Sequence, residues 1–232
     1  MTTATASRIE TNGTAKAAPK AAKASDVVVI QPANICRTTV RIRGTAPYVQ
    51  HAFSQKSQAI IEAKHREGGQ SKSKKARDAR DFEAEAEAAK HYSSEGWVGI
   101  PATSFRCAMI DACRTAGMVM TRAKMCIFAV ADGIDRVDGS PLVRLIAGDP
   151  VCPILPARND SGVIDLRCRP MWHEWSASVT LEYDADMISA DSVVNLLDRA
   201  GRQVGIGEGR PFSKNSSGMG WGTFVVALDD DE

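Results

Sequence analysis

Between Asn34 and Arg43 the chain alternates, with Ile35, Arg37, Thr39, Arg41 and Arg43 falling on one side of an extended backbone and Cys36, Thr38, Val40 and Ile42 on the other. Side chains of a strand point to opposite faces with a period of two, so this segment is expected to be a strand with three arginines on one face. Gly44 to Pro47 ends it. Phe105, Ala108, Met109, Ala112, Cys113 and Ala116 then recur at helical spacing after Pro101 and Thr103 and before Gly117. A helix is expected there, capped by Thr103 and stopped by Gly117, with Arg106, Asp111 and Arg114 on its polar side. Ala123 to Ala131 is apolar enough for a buried strand, Asp132-Gly133 and Asp138-Gly139 mark turns, and Leu142 to Ala147 is a further apolar run. Glu174 to Tyr183 alternates again, Trp175, Ala177, Val179 and Leu181 against Ser176, Ser178, Thr180 and Glu182. Ser189 is a good N-cap for a helix carrying Val193, Val194, Leu196, Leu197 and Ala200, closed by Gly201, and Thr223 to Leu228 reads as a last strand.

With the two central apolar runs taken as a middle hairpin, the order is β-α-β-β-α-β, which predicts an α+β protein with a ferredoxin-like (RRM-like) core. One domain over residues 26–228 is expected, interrupted by a long polar insertion at 54–95 that reads as two helical pieces flanking a basic stretch. Residues 1–25 hold Ala, Thr, Ser and Lys with almost nothing large and apolar, the composition of a disordered, mildly basic arm. Residues 229–232, Asp-Asp-Asp-Glu, form a short acidic tail.

Composition narrows the function classes. The chain has 232 residues, 44% hydrophobic and 25% charged, which is close to an average soluble domain. No apolar run approaches the ~18 residues that span a bilayer, and no signal peptide is visible, so a cytoplasmic protein without a membrane partner is expected. The six cysteines, Cys36, Cys107, Cys113, Cys126, Cys152 and Cys168, include no C-x-x-C pair, which argues against a zinc knuckle or a disulfide framework and for buried free thiols. No cofactor or metal is expected.

The net charge is +1, so affinity for a polyanion must come from uneven placement of charge. Lys64, Arg66, Lys72, Lys74, Lys75, Arg77 and Arg80 stand against only Glu67 and Asp78, and an acidic stretch with Asp81, Glu83, Glu85 and Glu87 follows. Such a block is either a solvated loop or a finger that grips nucleic acid. Arg167 to Trp175 mixes cations with two tryptophans, as single-strand binders do, with Trp172 the candidate for base stacking and Trp175 expected in the core.

Seven of the 18 glycines lie between Gly201 and Gly222. Such density implies a tight connection or close approach to a phosphate or base. It is not a dinucleotide fingerprint, because Arg210 stands where the third glycine is needed and the run follows a helix; nor is it a Walker A loop, lacking Gly-Lys-Ser/Thr. A glycine-rich loop between the last helix and last strand of such a core resembles the RAMP superfamily, which includes guide-RNA-binding backbone subunits and processing endoribonucleases of CRISPR systems. The segment Gly99-Ile100-Pro101-Ala102-Thr103-Ser104-Phe105-Arg106-Cys107-Ala108 is similar to that family's Ile-Pro-Gly-Ser-Ser-Leu-Lys-Gly-Ala entry into its first long helix, with Ala102 in place of the usual glycine. A stand-alone or phage-borne relative fits these residues as well as a CRISPR subunit does.

The resemblance implies a strand of RNA or single-stranded DNA crossing the sheet and the glycine-rich loop, with several copies of the protein side by side along it. It implies phosphate contacts from Arg106 and Arg114 on the first helix and from Arg210 and Lys214 in the loop; the arginine face of the strand, Arg37, Arg41 and Arg43, is either a solvated face or one that carries a strand of nucleic acid. It also supplies an enzyme alternative, a metal-independent endoribonuclease in which His51 or His65 moves a proton. Otherwise His51, His65, His91 and His173 are dispersed without a nucleophile or metal spacing. A third class is a virion or filament protein whose arm and insertion reach into neighbouring subunits.

Overall fold

The computed structural model describes residues 30–52, 59, 62, 63, 66, 81–158, 164–212 and 218–227. From Ala33 onward the chain forms one compact unit. It is a mixed α+β protein with antiparallel sheets.

The main sheet is built on two ten-residue strands, β1 (Ile35–Gly44) and β11 (Trp175–Asp184), paired antiparallel from Ile35↔Asp184 to Arg43↔Ser176. Both alternate as their sequences require. Trp175, Ala177, Val179 and Leu181 are buried, and so are Val40 and Ile42, while Arg37, Thr39, Arg41 and Arg43 are exposed. β12 (Phe224–Val226) pairs with the end of β1 and β4 (Ile127–Ala129) with the end of β11, giving the order β12-β1-β11-β4, with β7 (Ile146–Ala147) also against β11.

One face of this sheet carries the helices α2 (Ala102–Ala116) and α4 (Ala190–Gln203). Phe105, Met109, Val193 and Leu197 share one buried cluster with Val179 and Leu181. Ser189 caps α4, its hydroxyl oxygen accepting from the Ser192 backbone N–H at 3.3 Å, and Gly117 stops α2 at φ +73°. Thr103 does not cap α2: the helix starts at Ala102, directly after β3 (Gly99–Pro101), with Pro101 in the cap position and no side-chain bond. Gly201 does not end α4 either. It lies inside the last turn beneath β12, where a Cβ would stand 2.3 Å from the Phe224 carbonyl oxygen, so the glycine permits close packing instead of a stop.

The expected strand over Ala123–Ala131 is half helix. α3 (Met120–Cys126) precedes β4, because Ala123 and Cys126 are buried three residues apart with Thr121, Arg122, Lys124 and Met125 turned outward. The expected middle hairpin also changes. Leu142 to Ala147 divides into β6 (Pro141–Arg144), which pairs with β3 and β5 (Gly133–Ile134), and β7; the partner of β4 is β11. Between them the chain adds β8 (Ile154–Arg158) with β9 (Ile164–Cys168), and β10 (Met171–Trp172), which pairs with β2 (Tyr48–Val49). Of the expected insertion, the described part includes α1 (Phe82–Ala88), whose N-cap Asp81 accepts from the Ala84 N–H at 3.0 Å. Among the described residues no helix is long and apolar enough to cross a membrane. Cys113, Cys126 and Cys168 are buried free thiols, as expected, but Cys107 and Cys152 are exposed.

Candidate nucleic-acid interface

The sheet face away from the helices is polar, and the strand register sets its rows. Arg37 lies beside Glu182, and Glu182 beside Phe128 of β4; Thr39 lies beside Thr180, Arg41 beside Ser178, and Arg43 between Ser176 and Val225. Arg37 is tied to Glu182 at 2.8 Å, and the Thr39 and Thr180 hydroxyls are 3.0 Å apart. Arg41 and Arg43 have no side-chain hydrogen bond or ion pair among the described residues, so their charge faces solvent. Three arginines against Glu182 and Asp184, the latter on the same face opposite Ile35, leave this face with one net positive charge, gathered at the Arg41–Arg43 end.

At the β4 edge the face gains an aromatic side chain. Phe128 is 42% exposed and the Arg106 guanidinium lies 4.8 Å from its ring centroid. Arg106 also donates to the carbonyls of Ile127, at 3.0 Å, and Lys124. It therefore holds the α3–β4 junction and backs the Phe128 ring with positive charge. Phe128 went unseen in the sequence because it sits in a run read as uniformly buried.

Other expected contacts lie elsewhere. Arg114 is on α2, in the helix layer across the sheet from Arg41, 3.8 Å from Asp111 and 5.9 Å from the Phe212 ring centroid. Arg210 donates to the Gly207 carbonyl at 3.1 Å and closes its own loop. Trp172 is not a stacking platform: it is 3% exposed, stacked on Tyr48 at 5.8 Å between centroids, because β10 pairs with β2 beneath the loop. Trp175 is in the core as expected, its indole N–H donating to the Ala46 carbonyl at 2.9 Å. Lys72, Lys74, Lys75, Arg77, Arg80, Lys214 and His65 lie outside the described residues, as do the N-terminal arm and the acidic tail.

The glycine-rich return folds onto its own chain. A Cβ at Gly207, φ +78°, would meet the Val49 carbonyl at 2.5 Å; one at Gly222, φ +66°, would meet the Ile206 carbonyl at 1.8 Å. The close approach that the glycines permit is therefore backbone to backbone.

Where this loop meets β2, a second group of polar side chains collects. Arg169 donates through Nε to Glu208 Oε2 at 3.0 Å, and its Nη2 lies 3.0 Å from His51 Nε2. His51 Nδ1 is 3.5 Å from the same Glu208 oxygen, and Arg167 is 3.9 Å from the other. A guanidinium has only donors, so His51 Nε2 accepts and the ring proton sits on Nδ1, facing Glu208. Burial, then the charge of Arg169, hold the His51 pKa below its usual value, with Glu208 pulling the other way. A depressed folded-state pKa means that the unfolded chain takes up this proton first as pH falls. The stability contributed by neutral His51 is thus complete above about pH 6.5 and declines below it, until the folded group titrates too. Thermal unfolding between pH 8 and pH 5.5 should show a shallower loss of stability in His51→Gln than in the parent protein, and equal slopes would contradict this.

No family model matches this chain, and a search of curated proteins finds no match either.

Proposed function

We propose that the chain is a ferredoxin-like, non-catalytic binder of single-stranded RNA or DNA that holds the strand across the open face of its main sheet. The observation that carries this reading is the row Arg37, Arg41 and Arg43 on one exposed face, with the last two unpaired among the described residues. The core reading is supported by the element order β1-α2-β4-β11-α4-β12, the antiparallel order β12-β1-β11-β4, and both helices on one face. A four-stranded sheet of this kind leaves its second face free for a strand of bases and phosphates. Small hydroxyl side chains on β11 keep that face shallow, the arginines neutralise phosphates, and Phe128 offers a ring for stacking. Kinship with the RAMP superfamily, and assembly of several copies along one strand, extend this reading.

The test is fluorescence anisotropy of labelled oligothymidylate and oligouridylate over a salt series. If the three arginines each displace one counterion, log affinity should fall against log salt with a slope of about −2, at ~0.7 per contact. A flat salt dependence would remove the electrostatic basis.

A second reading, a metal-independent endoribonuclease, is favoured by the pairing of neutral His51 with Arg169. His51 Nε2 is a free base once Arg169 turns to a phosphate, and Arg167 and Arg169 would meet the charge that grows on phosphorus when a 2′-hydroxyl attacks. Glu208 neutralises part of that charge, which is why the sheet face ranks above this cluster. Cleavage of labelled RNA in EDTA, lost in His51→Ala and absent with DNA, would establish the second reading; intact RNA supports the first.

A further inference from the structure

A cleft of about 760 Å³ opens in the helix layer, between one side of α4 and the turn that joins α2 to α3. Small-molecule sites commonly enclose roughly 300–1,000 Å³. Ser192, Asn195, Arg199 and Arg202 recur at spacings of three and four, so they stand in one row along α4, and the row is about 15 Å long at 1.5 Å per residue. Met118, Arg122 and Met187 form the other wall. Between the walls the cleft is apolar, with Met118 half-buried and Ile188 and Leu196 buried. Cations stand at both ends. Arg122 donates to the Met187 carbonyl at 2.9 Å, beside the start of α4, and Arg199 donates to the Thr115 carbonyl at 3.4 Å, near its last turns. Arg202 donates through Nε to Asp198 Oδ2 at 2.6 Å. A guanidinium has five N–H donors, so each arginine keeps donors to spare. Carbonyls carry no charge, and among the lining residues three arginines minus Asp198 leave a net +2.

We propose that this cleft binds a phosphorylated small molecule with a planar ring, such as a nucleoside phosphate, its phosphate on Arg199 and Arg202 and its ring on Met118 and Leu196. The planar guanidinium fork matches a phosphate, and two such forks one turn apart on α4 give it more than one charged partner. A methionine thioether is polarizable and packs well against an aromatic ring, which the bare arginine row alone would not favour. Polar atoms for the ring's edge are present too. The Thr115 hydroxyl already donates to Gln203 Oε1, which leaves the Gln203 NH₂ to donate elsewhere, and Asn195 can both donate and accept. The two-sided chemistry, charge at the ends and apolar surface between them, separates such a ligand from a bare anion. The cleft lies on the helix layer and Arg37, Arg41 and Arg43 on the opposite face of the sheet, so the inference goes beyond the single-strand reading and does not rest on it.

The experiment is calorimetric titration of the full chain with AMP, with adenosine and inorganic phosphate as the two halves of the probe, and with the double variant Arg199→Ala, Arg202→Ala beside the parent. AMP should bind at least about tenfold more tightly than either half, and the double variant should lose at least about tenfold of that affinity as its charge-assisted bonds go. Thermal unfolding of the double variant should match the parent, since both arginines are exposed and the Arg202–Asp198 pair is a surface one. No binding of AMP at millimolar concentration, or undiminished binding by the double variant, overturns the proposal. Phosphate that binds as tightly as AMP makes the cleft the seat of an adventitious ion only and overturns it as well, and adenosine that matches AMP removes the role of the arginines. Displacement of AMP by oligothymidylate would put the cleft on the path of a nucleic-acid strand and overturn the small-molecule assignment. AMP binding as expected, with no oligothymidylate bound anywhere, upholds the cleft and sinks the single-strand reading instead.

Discussion

Gly222→Ala is expected to destabilise the protein by about 3 kcal/mol or more, whereas Gly220→Ala, two residues earlier, should lose only about 1 kcal/mol. Both glycines hold a left-handed backbone, φ +66° and +78°. An added Cβ suffers from that conformation at each, a penalty of about 1–2 kcal/mol. Their surroundings differ. At Gly220 nothing stands within 4 Å of the added carbon, but at Gly222 it would overlap the Ile206 carbonyl, whose residue also donates its N–H to the Gly222 oxygen at 2.9 Å. Relieving the overlap means breaking that backbone pair and lifting β12 away from Ile206, which is itself 1% exposed. Denaturant midpoints of the two variants measure the difference. Equal, small effects would mean that the return loop is not clamped to its scaffold.

The long strands were legible because their information is local. Period-two alternation places Arg37, Arg41 and Arg43 outward and Val40 and Ile42 inward whatever else the chain does, and β11 obeys the same rule from Trp175 to Asp184. What failed to read was what depends on distant partners. Trp172 sits in a segment rich in cations, yet the ring it stacks on, Tyr48, comes from β2, 124 positions earlier in the chain, and no local pattern announces that β10 will pair with β2. The glycine run announced close approach without saying to what, and the answer, the Val49 and Ile206 carbonyls, is again a tertiary fact. Between Met120 and Cys126 the reason is different: apolar content alone points to a strand, whereas Ala123 and Cys126, three residues apart and both buried, carry a helical spacing.

The candidate sites divide the same way. His51 could be picked out singly, but its partners Arg169 and Glu208 stand 118 and 157 positions further along the chain and meet it only through β2, β10 and the return loop. Arg106 and Arg114, eight residues apart on α2, looked equivalent in the sequence. Eight residues are a little over two helical turns, so they share a side of the helix but not a place along it. Arg106 reaches the sheet edge at Phe128, while Arg114 ends near Phe212.

That separation makes the largest binding effect testable with an internal control. Arg37→Ala, Arg41→Ala and Arg43→Ala combined should weaken single-strand binding at least tenfold at about 0.1 M salt and flatten the log–log salt slope by about 2, at ~0.7 for each lost phosphate contact. Arg114→Ala removes the same kind of charge from the helix layer and should leave both affinity and slope unchanged. The fold should tolerate the triple change, since Arg41 and Arg43 are exposed and unpaired among the described residues, and the exposed Arg37–Glu182 pair contributes less than about 1 kcal/mol. Anisotropy titrations at three salt concentrations, with thermal unfolding of each variant alongside, separate the outcomes. Undiminished binding by the triple variant would take the strand off this face of the sheet, and a loss in Arg114→Ala of similar size would put it on the helices instead.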